Sequence, residues 1–259
     1  MTNLPTTRKT ALITGAAQRL GRATALHMAR AGWNIVVHYR HSKEQALSLV
    51  AEIQTLGLKS CALPCELSDA EQVENLFKQA VIEMGAIHCV VNNASVFEED
   101  QAHDFTTASF NLHMHSNVVA PMILSRALHQ HTPEGAQACV INLLDQKLIN
   151  LNPDYLSYTL SKAALQCATT TLAQAFAPKL RVVGISPGLS LASGPQSQTD
   201  FQVAHQMTAL GRSSTPEDIA RTVCFVAESP AITGTTIVVD GGQHLIPLAR
   251  DVMFLAKSE

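Results

Sequence analysis

The chain has 259 residues, of which 46% are hydrophobic and 15% are charged. This composition provides enough apolar surface for a folded core and excludes a disordered protein. The 18 Lys and Arg residues against 21 Asp and Glu residues give a formal net charge of −3 at pH 7, so no overall basic field attracts nucleic acid. We expect one α/β domain over residues 1–259.

The N-terminal sequence and the cysteines favour a cytoplasmic protein. Residues 1–10 lead into an apolar run that is far shorter than the hydrophobic part of a signal peptide. No segment offers the roughly 20 apolar residues of a membrane-spanning helix, so no membrane partner is expected. The six cysteines are scattered without a CxxC pair, which predicts reduced, buried thiols.

Short runs rich in Val and Ile recur along the chain and predict seven β-strands. They are residues 11–14, 34–38, 60–63, 89–92, 138–143, 182–186 and 236–239. Segments with the apolar spacing of helices lie between them, and nearly continuous apolar strands are typical of a parallel sheet that is covered on both faces. The pattern predicts a Rossmann-type doubly wound α/β fold, with a seven-stranded parallel sheet and helices on both faces.

Two segments stand outside this alternation. Residues 188–216 form an irregular stretch that is too long for a simple connection, and we interpret it as a substrate-loop region. The C-terminal tail, residues 243–259, is expected to close over an active site, either its own or that of a neighbouring subunit. Helix N-termini are marked by Ser68-Asp69 and by Thr215-Pro216.

A glycine-rich turn, TGAAQRLG at residues 14–21, separates the first predicted strand from the first helix. Gly15 permits a tight turn, Gly21 lets the helix approach the sheet, and the N–H groups of the helix can bind a pyrophosphate. Arg19 stands where many such turns carry another Gly, which places a cation beside the phosphates. The position between a strand and a helix favours a dinucleotide site over an ordinary βα loop.

The end of the second predicted strand favours NADPH over NADH. A site that prefers NAD has an Asp or Glu there to bind the ribose 2′-hydroxyl, whereas this chain has HYRHS at residues 38–42. One guanidinium, two imidazoles and a hydroxyl suit a 2′-phosphate, although Arg40 in solvent is the alternative. The residues expected to bind NADPH/NADP here are His38, Tyr39, Arg40, His41 and Ser42.

Tyr158 and Lys162 are four residues apart, so on a helix their side chains share one face. A neighbouring cation stabilises a phenolate and lowers the pKa of Tyr158 toward the working pH, where a general acid is effective. The spacing alone is a weak signal, and its value comes from the order of the motifs. The glycine-rich turn comes first, followed by NNAS at 92–95, Asp145, and then YTLSK at 158–162.

With these motifs, the chain resembles the short-chain dehydrogenases/reductases over essentially its whole length. Further matching segments are Asn117, PGLS at 187–190 and VVDGG at 238–242. The resemblance implies that Tyr158 transfers the proton, that Lys162 binds the nicotinamide ribose and lowers the pKa of Tyr158, and that Asn117 supports a water-linked proton relay. It also implies a dimer interface on the helices of Asn117 and Tyr158, commonly within a homotetramer.

The same resemblance implies a set of cofactor contacts along the cavity. Besides residues 38–42, Tyr158 and Lys162, they are Gly15, Arg19, Leu20, Gly21, Glu66, Leu67, Asn93, Ala94, Ser95, Pro187, Gly188 and Ser190. Two of the matches depart from the pattern of the relatives. Glu66 stands where they usually have Asp at the adenine edge, and Arg40 comes before His41 rather than after it.

Asp145 departs from the common family pattern, in which a Ser stands 13 residues before the Tyr. This replacement, Arg19 in the glycine-rich turn, the HYRHS run and NNAS followed by Phe97 are similar to the pteridine reductases, with the dihydromonapterin reductases in the same branch. That resemblance implies a pterin pocket in which Phe97 stacks on a flat ring. The implied substrate residues are Ser95, Phe97, Asp145, Tyr155 and Tyr158.

The leading interpretation is an NADPH-dependent reductase that transfers hydride to a C=N bond of a pterin. The substrate would be of pteridine, dihydromonapterin or dihydrofolate type, and Tyr158, Asp145 or a water between them would supply the proton. A reductase of a small ketone or quinone and a non-catalytic NADPH-sensing module stay open as alternatives. No metal site is expected, because the pairs His113/His115 and His129/His131 lack further ligands.

Overall fold

A parallel β-sheet of seven strands runs through the protein, in the order β3-β2-β1-β4-β5-β6-β7. The computed structural model describes residues 8–192 and 197–255. The chain reverses its direction of travel across the sheet between β1 and β4, which is where doubly wound folds bind ligands. The strands are β1 (Thr10–Ile13), β2 (Asn34–Tyr39), β3 (Ser60–Pro64), β4 (Cys89–Asn92), β5 (Ala138–Leu143), β6 (Leu180–Pro187) and β7 (Thr236–Val239).

Helices cover both faces of this sheet, which confirms the predicted Rossmann-type doubly wound fold. One face carries α1 (Arg19–Arg30), α2 (Lys43–Thr55) and α8 (Pro216–Glu228), and the other carries α3 (Ala70–Met84), α5 (Ala120–His131) and α6 (Leu156–Phe176). The remaining α-helices described are α4 (Thr107–Met114), α7 (Gln198–Gln206) and α9 (Val252–Leu255).

The strands explain why the sequence reads as nearly continuous apolar runs. In β1, Ala11 and Ile13 pack toward α1, α2 and α8, whereas Leu12 packs toward α3 and α5. All three side chains are fully buried, because successive residues of a strand point to opposite faces and both faces are covered here.

The capping contacts of α3 and α8 confirm where these two helices were predicted to begin. The carboxylate of Asp69 accepts hydrogen bonds from the backbone N–H groups of Glu71 and Gln72. Thr215 and Asp218 form a reciprocal capping box with Pro216 at the first position of α8. Local side-chain chemistry therefore sets where these two helices begin.

The structure also bears on the cysteines, on membrane-spanning helices and on metal-binding clusters. The prediction of buried thiols is wrong for Cys167, which is exposed on α6, and for Cys61 in β3, which is only half-buried, and it holds for the other four cysteines. Across residues 8–192 and 197–255, no helix is long and apolar enough to cross a bilayer. The same residues contain no group of three His, Cys, Asp or Glu side chains placed to hold a metal ion.

Candidate active site

A cavity of about 720 Å³ opens at the carboxyl ends of the strands. The residues expected to contact the cofactor all line it, which brings together motifs that are far apart in the sequence. Of the expected substrate and catalytic residues, the cavity is lined by Ser95, Phe97, Asp145, Tyr158 and Lys162, whereas Asn117 and Tyr155 lie behind its wall.

The glycine-rich turn requires small residues because two loops meet there. A Cβ on Gly21 would lie 2.2 Å from the carbonyl oxygen of Gly15. Gly15 itself has a φ of +62°, in the left-handed region that favours glycine. The hydroxyl oxygen of Thr14 accepts hydrogen bonds from the N–H groups of Asn93 and Ala94, each at 3.0 Å, and so joins the turn to the loop after β4.

Arg19 occupies the place in the turn where related turns often carry another glycine. Its φ of +52° is left-handed, a conformation that side-chain-bearing residues adopt at a cost. Its guanidinium donates a hydrogen bond of 2.7 Å to the carbonyl oxygen of Ala192. The expected cation thus lies on the cavity wall and connects the turn with the predicted substrate-loop region, of which residues 193–196 lie outside the described part.

The far end of the cavity carries the groups expected to meet a 2′-phosphate. Arg40 is half exposed there, and its guanidinium lies 3.8 Å from the Glu66 carboxylate. Burial alone would raise the pKa of Glu66, but hydrogen bonds from Ser68 and the charge of Arg40 outweigh it and lower that pKa. Ser42 stands at the N-terminus of α2, where the helix dipole favours an anion.

His38 does not offer its imidazole to a phosphate, which corrects the expectation of two imidazoles at this end. Its Nδ1 accepts a hydrogen bond of 2.9 Å from the N–H of Gly15, and its Nε2 lies 3.1 Å from the carbonyl oxygen of Cys65. Burial lowers the pKa of His38 to about 4, so the ring is neutral at pH 7. The ring braces the glycine-rich turn.

At the other end of the cavity, the phenol of Tyr158 donates a hydrogen bond of 2.6 Å to Oδ2 of Asp145. Oδ1 of Asp145 accepts a second hydrogen bond, of 2.8 Å, from the backbone N–H of Lys147. Burial raises the pKa of Asp145. Burial and the charge of Asp145 raise the pKa of Tyr158 well above its ordinary value. Tyr158 therefore retains its phenol proton at neutral pH.

Lys162 lies beside this pair on the same face of α6. Its Nζ is 5.7 Å from the centre of the Tyr158 ring and donates a hydrogen bond of 2.7 Å to the carbonyl oxygen of Leu143. Burial lowers the pKa of Lys162 to about 8, against the opposing effect of Asp145. The pKa of Tyr158 is raised and not lowered toward neutral pH, because burial and Asp145 have the larger effect, and the role of Lys162 in tuning it stays a prediction.

Asn117 lies in a π-helical turn, His115–Val119, between α4 and α5. Its amide oxygen accepts a hydrogen bond from the N–H of Val96, and its amide nitrogen donates to the carbonyl of Val96 and to the hydroxyl of Ser161. The side chain therefore fixes the loop that carries Ser95 and Phe97. The water-linked relay stays a prediction.

Aromatic rings form one wall of the cavity at its reacting end. Phe97 stacks on Tyr155 with a centroid distance of 4.3 Å and meets the ring of Tyr158 edge-on at 4.7 Å. Tyr155 lies outside the lining but supports Phe97 from behind, and its φ of +56° is left-handed. The predicted substrate residues are thus in mutual contact or share the cavity.

The C-terminal tail closes over the cavity of its own chain. Gln243, Asp251 and Val252 line the cavity, and the guanidinium of Arg250 forms an ion pair of 2.8 Å with the buried carboxylate of Asp154. Residues 256–259 lie outside the described part. The tail is recognisable in the sequence as a segment, but no local pattern marks these residues or Lys147 as part of the site.

The fold and the site together define a class. One cavity at the switch point of the parallel sheet is lined by the glycine-rich turn, by the end of β2, and by a Tyr and a Lys of α6. This is the arrangement of a nucleotide-dependent oxidoreductase. A family model described as enoyl-(acyl carrier protein) reductase matches residues 15–244. The chain belongs to this family, within the short-chain dehydrogenases/reductases.

Individual relatives cover nearly the whole chain. An uncharacterized oxidoreductase of Methylorubrum extorquens is 32% identical over 90% of this chain and 97% of its own length. The 3-oxoacyl-[acyl-carrier-protein] reductase FabG of Staphylococcus aureus is 29% identical, over 92% and 98%. The crystal structure of FolM alternative dihydrofolate reductase 1 from Brucella canis, complexed with NADP, is 36% identical with a TM-score of 0.87, over 92% and 95%.

Proposed function

We propose that the protein is an NADPH-dependent reductase that transfers hydride to a C=N bond of a pterin. The observation that carries this proposal is the 2.6 Å hydrogen bond between Tyr158 and Asp145 in the cavity that the glycine-rich turn also lines. A carboxyl group in the place of the family's Ser adds a second acid, which the reduction of a ring C=N bond uses and a simple ketone reduction does not need.

The residues present fit NADP(H). Gly15 and Gly21 line the cavity at the N-terminus of α1, which suits a pyrophosphate, and their lack of a Cβ lets the turn pack against the loop after β4. Arg40 and the N-terminus of α2 suit the 2′-phosphate, and Lys162 suits the nicotinamide ribose. The NADP-bound FolM structure supports this assignment. The bound cofactor supplies the hydride.

The Tyr158–Asp145 pair supplies the matching proton. As a carbon of the C=N bond accepts the hydride, its nitrogen gains electron density and takes a proton from the pair, which is then restored from solvent. Burial and the charge of Asp145 raise the pKa of Tyr158, so the phenol still holds its proton at neutral pH when the substrate nitrogen takes it. Because the two groups share one short hydrogen bond, they act as a unit.

The aromatic wall supports a flat heterocyclic substrate. The ring of Phe97 is 38% exposed at the cavity and is held by Tyr155 and Tyr158. Offset or edge-on contacts between aromatic rings stabilise such a complex by about 0.5–1.5 kcal/mol beyond the buried area. Ser95 lies on the same loop, as the resemblance to pteridine reductases implies.

A reductase of ketones, including 3-oxoacyl thioesters, is the second candidate. The FabG relatives favour it, and the Tyr158/Lys162 pair serves a carbonyl substrate equally well. Asp145 distinguishes the two candidates, because only the C=N substrate uses the second acid. The assembled Tyr158, Lys162 and Asp145 argue against a module that only senses NADPH, since sensing needs no buried proton donor.

The first test follows NADPH oxidation with dihydromonapterin, dihydrobiopterin, dihydrofolate and small ketones. We expect turnover of at least one dihydropterin and poor turnover of ketones. Asp145→Ser should lower kcat/KM for the pterin by about 10²-fold, which is the usual contribution of a positioned acid, and leave ketone turnover nearly unchanged. Good ketone turnover with silent pterins would contradict the proposal.

We also propose a cytoplasmic homotetramer or dimer, as the family resemblance implies. Exposed apolar side chains on the expected interface helices support it, with Met122 on α5 and Leu160 on α6 each more than 40% exposed. Light scattering of the purified protein would measure the assembly. A monomer at micromolar concentration would contradict this part of the proposal.

A further inference from the structure

The C-terminal tail brings a carboxylate to the reacting end of the cavity. Asp251 lines the same cavity as Asp145 and Tyr158, and its side chain keeps 15% of its surface exposed. Its backbone N–H donates a hydrogen bond of 2.7 Å to Oδ2 of Asp154. Asp154 is buried and also pairs with Arg250. Two neighbouring tail residues, Arg250 and Asp251, therefore bind the Asp154 carboxylate.

Lys147 links this tail carboxylate to the proton-donating pair. Its backbone N–H binds Oδ1 of Asp145 at 2.8 Å, and its buried ammonium donates to Oδ2 of Asp251 at 3.2 Å. The ammonium also donates a 2.6 Å hydrogen bond to the carbonyl oxygen of Asp154. One residue therefore contacts both carboxyl groups, and Asp251 lines the same cavity as Asp145 and Tyr158.

The charge of Asp251 reaches the reacting groups. It contributes to the raised pKa of Asp145 and of Tyr158, behind the larger effect of burial. A carboxylate in this position accepts hydrogen bonds and repels other anions. Lys147 offsets part of that charge, but its ammonium is buried and already donates to two protein oxygens.

We propose that Asp251 is a specificity-determining residue, which accepts a hydrogen bond from an N–H or O–H group of the substrate and disfavours substrates that carry an anionic group beside the reacting bond. This inference rests on the proposed function for the pterin substrate. It adds that the tail selects substrates by the charge and the hydrogen-bond donors beside the reacting bond. An uncharged dihydropterin with amino or hydroxyl donors fits this chemistry. An analogue with a carboxylate next to the C=N bond does not.

The test measures kcat and KM for dihydromonapterin and for 7,8-dihydropterin-6-carboxylate in the wild-type protein and in Asp251→Asn. Asn keeps an oxygen that can accept from Lys147, and the backbone contact to Asp154 is unchanged, so the tail should stay in place. We expect the preference for the uncharged substrate to fall at least tenfold, through KM rather than kcat. Thermal unfolding checks that the variant is folded.

The matched control is Glu134→Gln, which removes one negative charge from an exposed side chain outside the cavity, paired with Lys179. It should change neither the preference nor either KM. A loss in Asp251→Asn that is equal for both pterins would overturn the inference, because it would show that Asp251 only positions the tail.

The inference and the proposed function can fail separately. If the wild-type protein reduces no pterin but reduces ketones, the proposed function fails, and the same variants are compared on ethyl acetoacetate and acetoacetate. A relative gain for the anionic acetoacetate in Asp251→Asn would support the inference, and equal changes would overturn it. If no substrate is turned over, calorimetry compares the affinities of the wild-type protein and of Asp251→Asn for the two pterins. A relative gain for the carboxylate would support the inference, and equal changes would overturn it.

Discussion

Burial is the largest cause of the pKa shifts of the three groups at the reacting end, Asp145, Tyr158 and Lys162. An isolated Tyr next to an ammonium loses its proton more easily, but Tyr158 donates its proton to a carboxyl group, and both of these pKa values are raised. The pKa of Lys162 moves the other way, to about 8. The protein therefore holds a protonated Tyr158 phenol on the Asp145 carboxyl group, beside a Lys162 ammonium whose pKa lies just above neutral pH.

This difference predicts the pH dependence of cofactor capture. The kcat/KM for NADPH reports the enzyme without cofactor, and Lys162 needs its charge for the role that the resemblance implies. Because the folded-state pKa of Lys162 is lowered from 10.5 to about 8, the ammonium is present below pH 8 and is lost above it. We expect kcat/KM for NADPH to be flat below pH 7 and to fall about tenfold per pH unit above 8.

Lys162→Arg tests which group causes this alkaline limb. A guanidinium keeps its proton to beyond pH 12, so the variant, although less active, should show no decline near pH 8. An unchanged limb in Lys162→Arg would assign the titration to another group and contradict the prediction. Steady-state rates between pH 6 and 10 at constant ionic strength provide the measurement.

At the scale of elements, α6 depends on a residue far away in the sequence. The carboxylate of Asp100 accepts a hydrogen bond of 2.9 Å from the N–H of Ser157, and its carbonyl accepts one of 3.1 Å from Leu156. Asp100 is itself buried. The residue before the helix, Tyr155, is left-handed and makes no side-chain cap, so Asp100 replaces the usual local cap of the helix that carries Tyr158 and Lys162.

Asp100→Ala should therefore reduce both stability and activity. Losing the cap and leaving a buried N–H unsatisfied costs about 2 kcal/mol, or roughly 5 °C in Tm. We expect kcat to fall by about tenfold or more, because a small shift of α6 moves the phenol away from the substrate. Thermal unfolding and initial rates at saturating substrate measure the two effects.

Thr215→Ala is the matched control for this prediction. Thr215 caps α8 through the N–H of Asp218, and none of the cavity-lining residues lies in α8. The control should lose about 1 kcal/mol of stability and keep its kcat. If both variants lose activity in proportion to stability, Asp100 has no positioning role beyond that of any helix cap.

At the scale of the whole molecule, the features that could be predicted are those marked by a local sequence pattern or by the family resemblance. The strand positions, the glycine-rich turn and the pairing of Asp145 with Tyr158, 13 residues apart, belong to this group. Contacts between distant segments, such as Arg250 with Asp154 or Asp100 with Ser157, leave no local pattern. Burial is a tertiary property as well, which is why the neutral ring of His38 and the raised pKa of Tyr158 could not be predicted.

Cofactor binding should stabilise the whole fold, because the cavity joins loops from both halves of the sheet. A ligand at about 100 times its Kd adds about 2.7 kcal/mol to the free energy of unfolding, and for a chain of this size that raises Tm by several degrees. We expect NADPH to raise Tm more than NADH at equal concentration, since only NADPH carries the 2′-phosphate that Arg40 can bind.

Arg40→Ala should abolish this difference between the cofactors. Its ion pair with Glu66, 3.8 Å long and with the Arg40 side chain 50% exposed, contributes little on its own, so the variant should unfold within about 2 °C of wild type without cofactor. With NADPH the variant should lose the extra stabilisation and bind NADPH at least roughly tenfold more weakly, while its binding of NADH is unchanged.

Arg126→Ala is the control, because it removes an exposed Arg that is paired with Glu74 outside the cavity. This variant should keep the preference for NADPH over NADH. Equal losses with both cofactors in Arg40→Ala would show that the 2′-phosphate is bound elsewhere, with His41, Ser42 and the start of α2 as the remaining candidates.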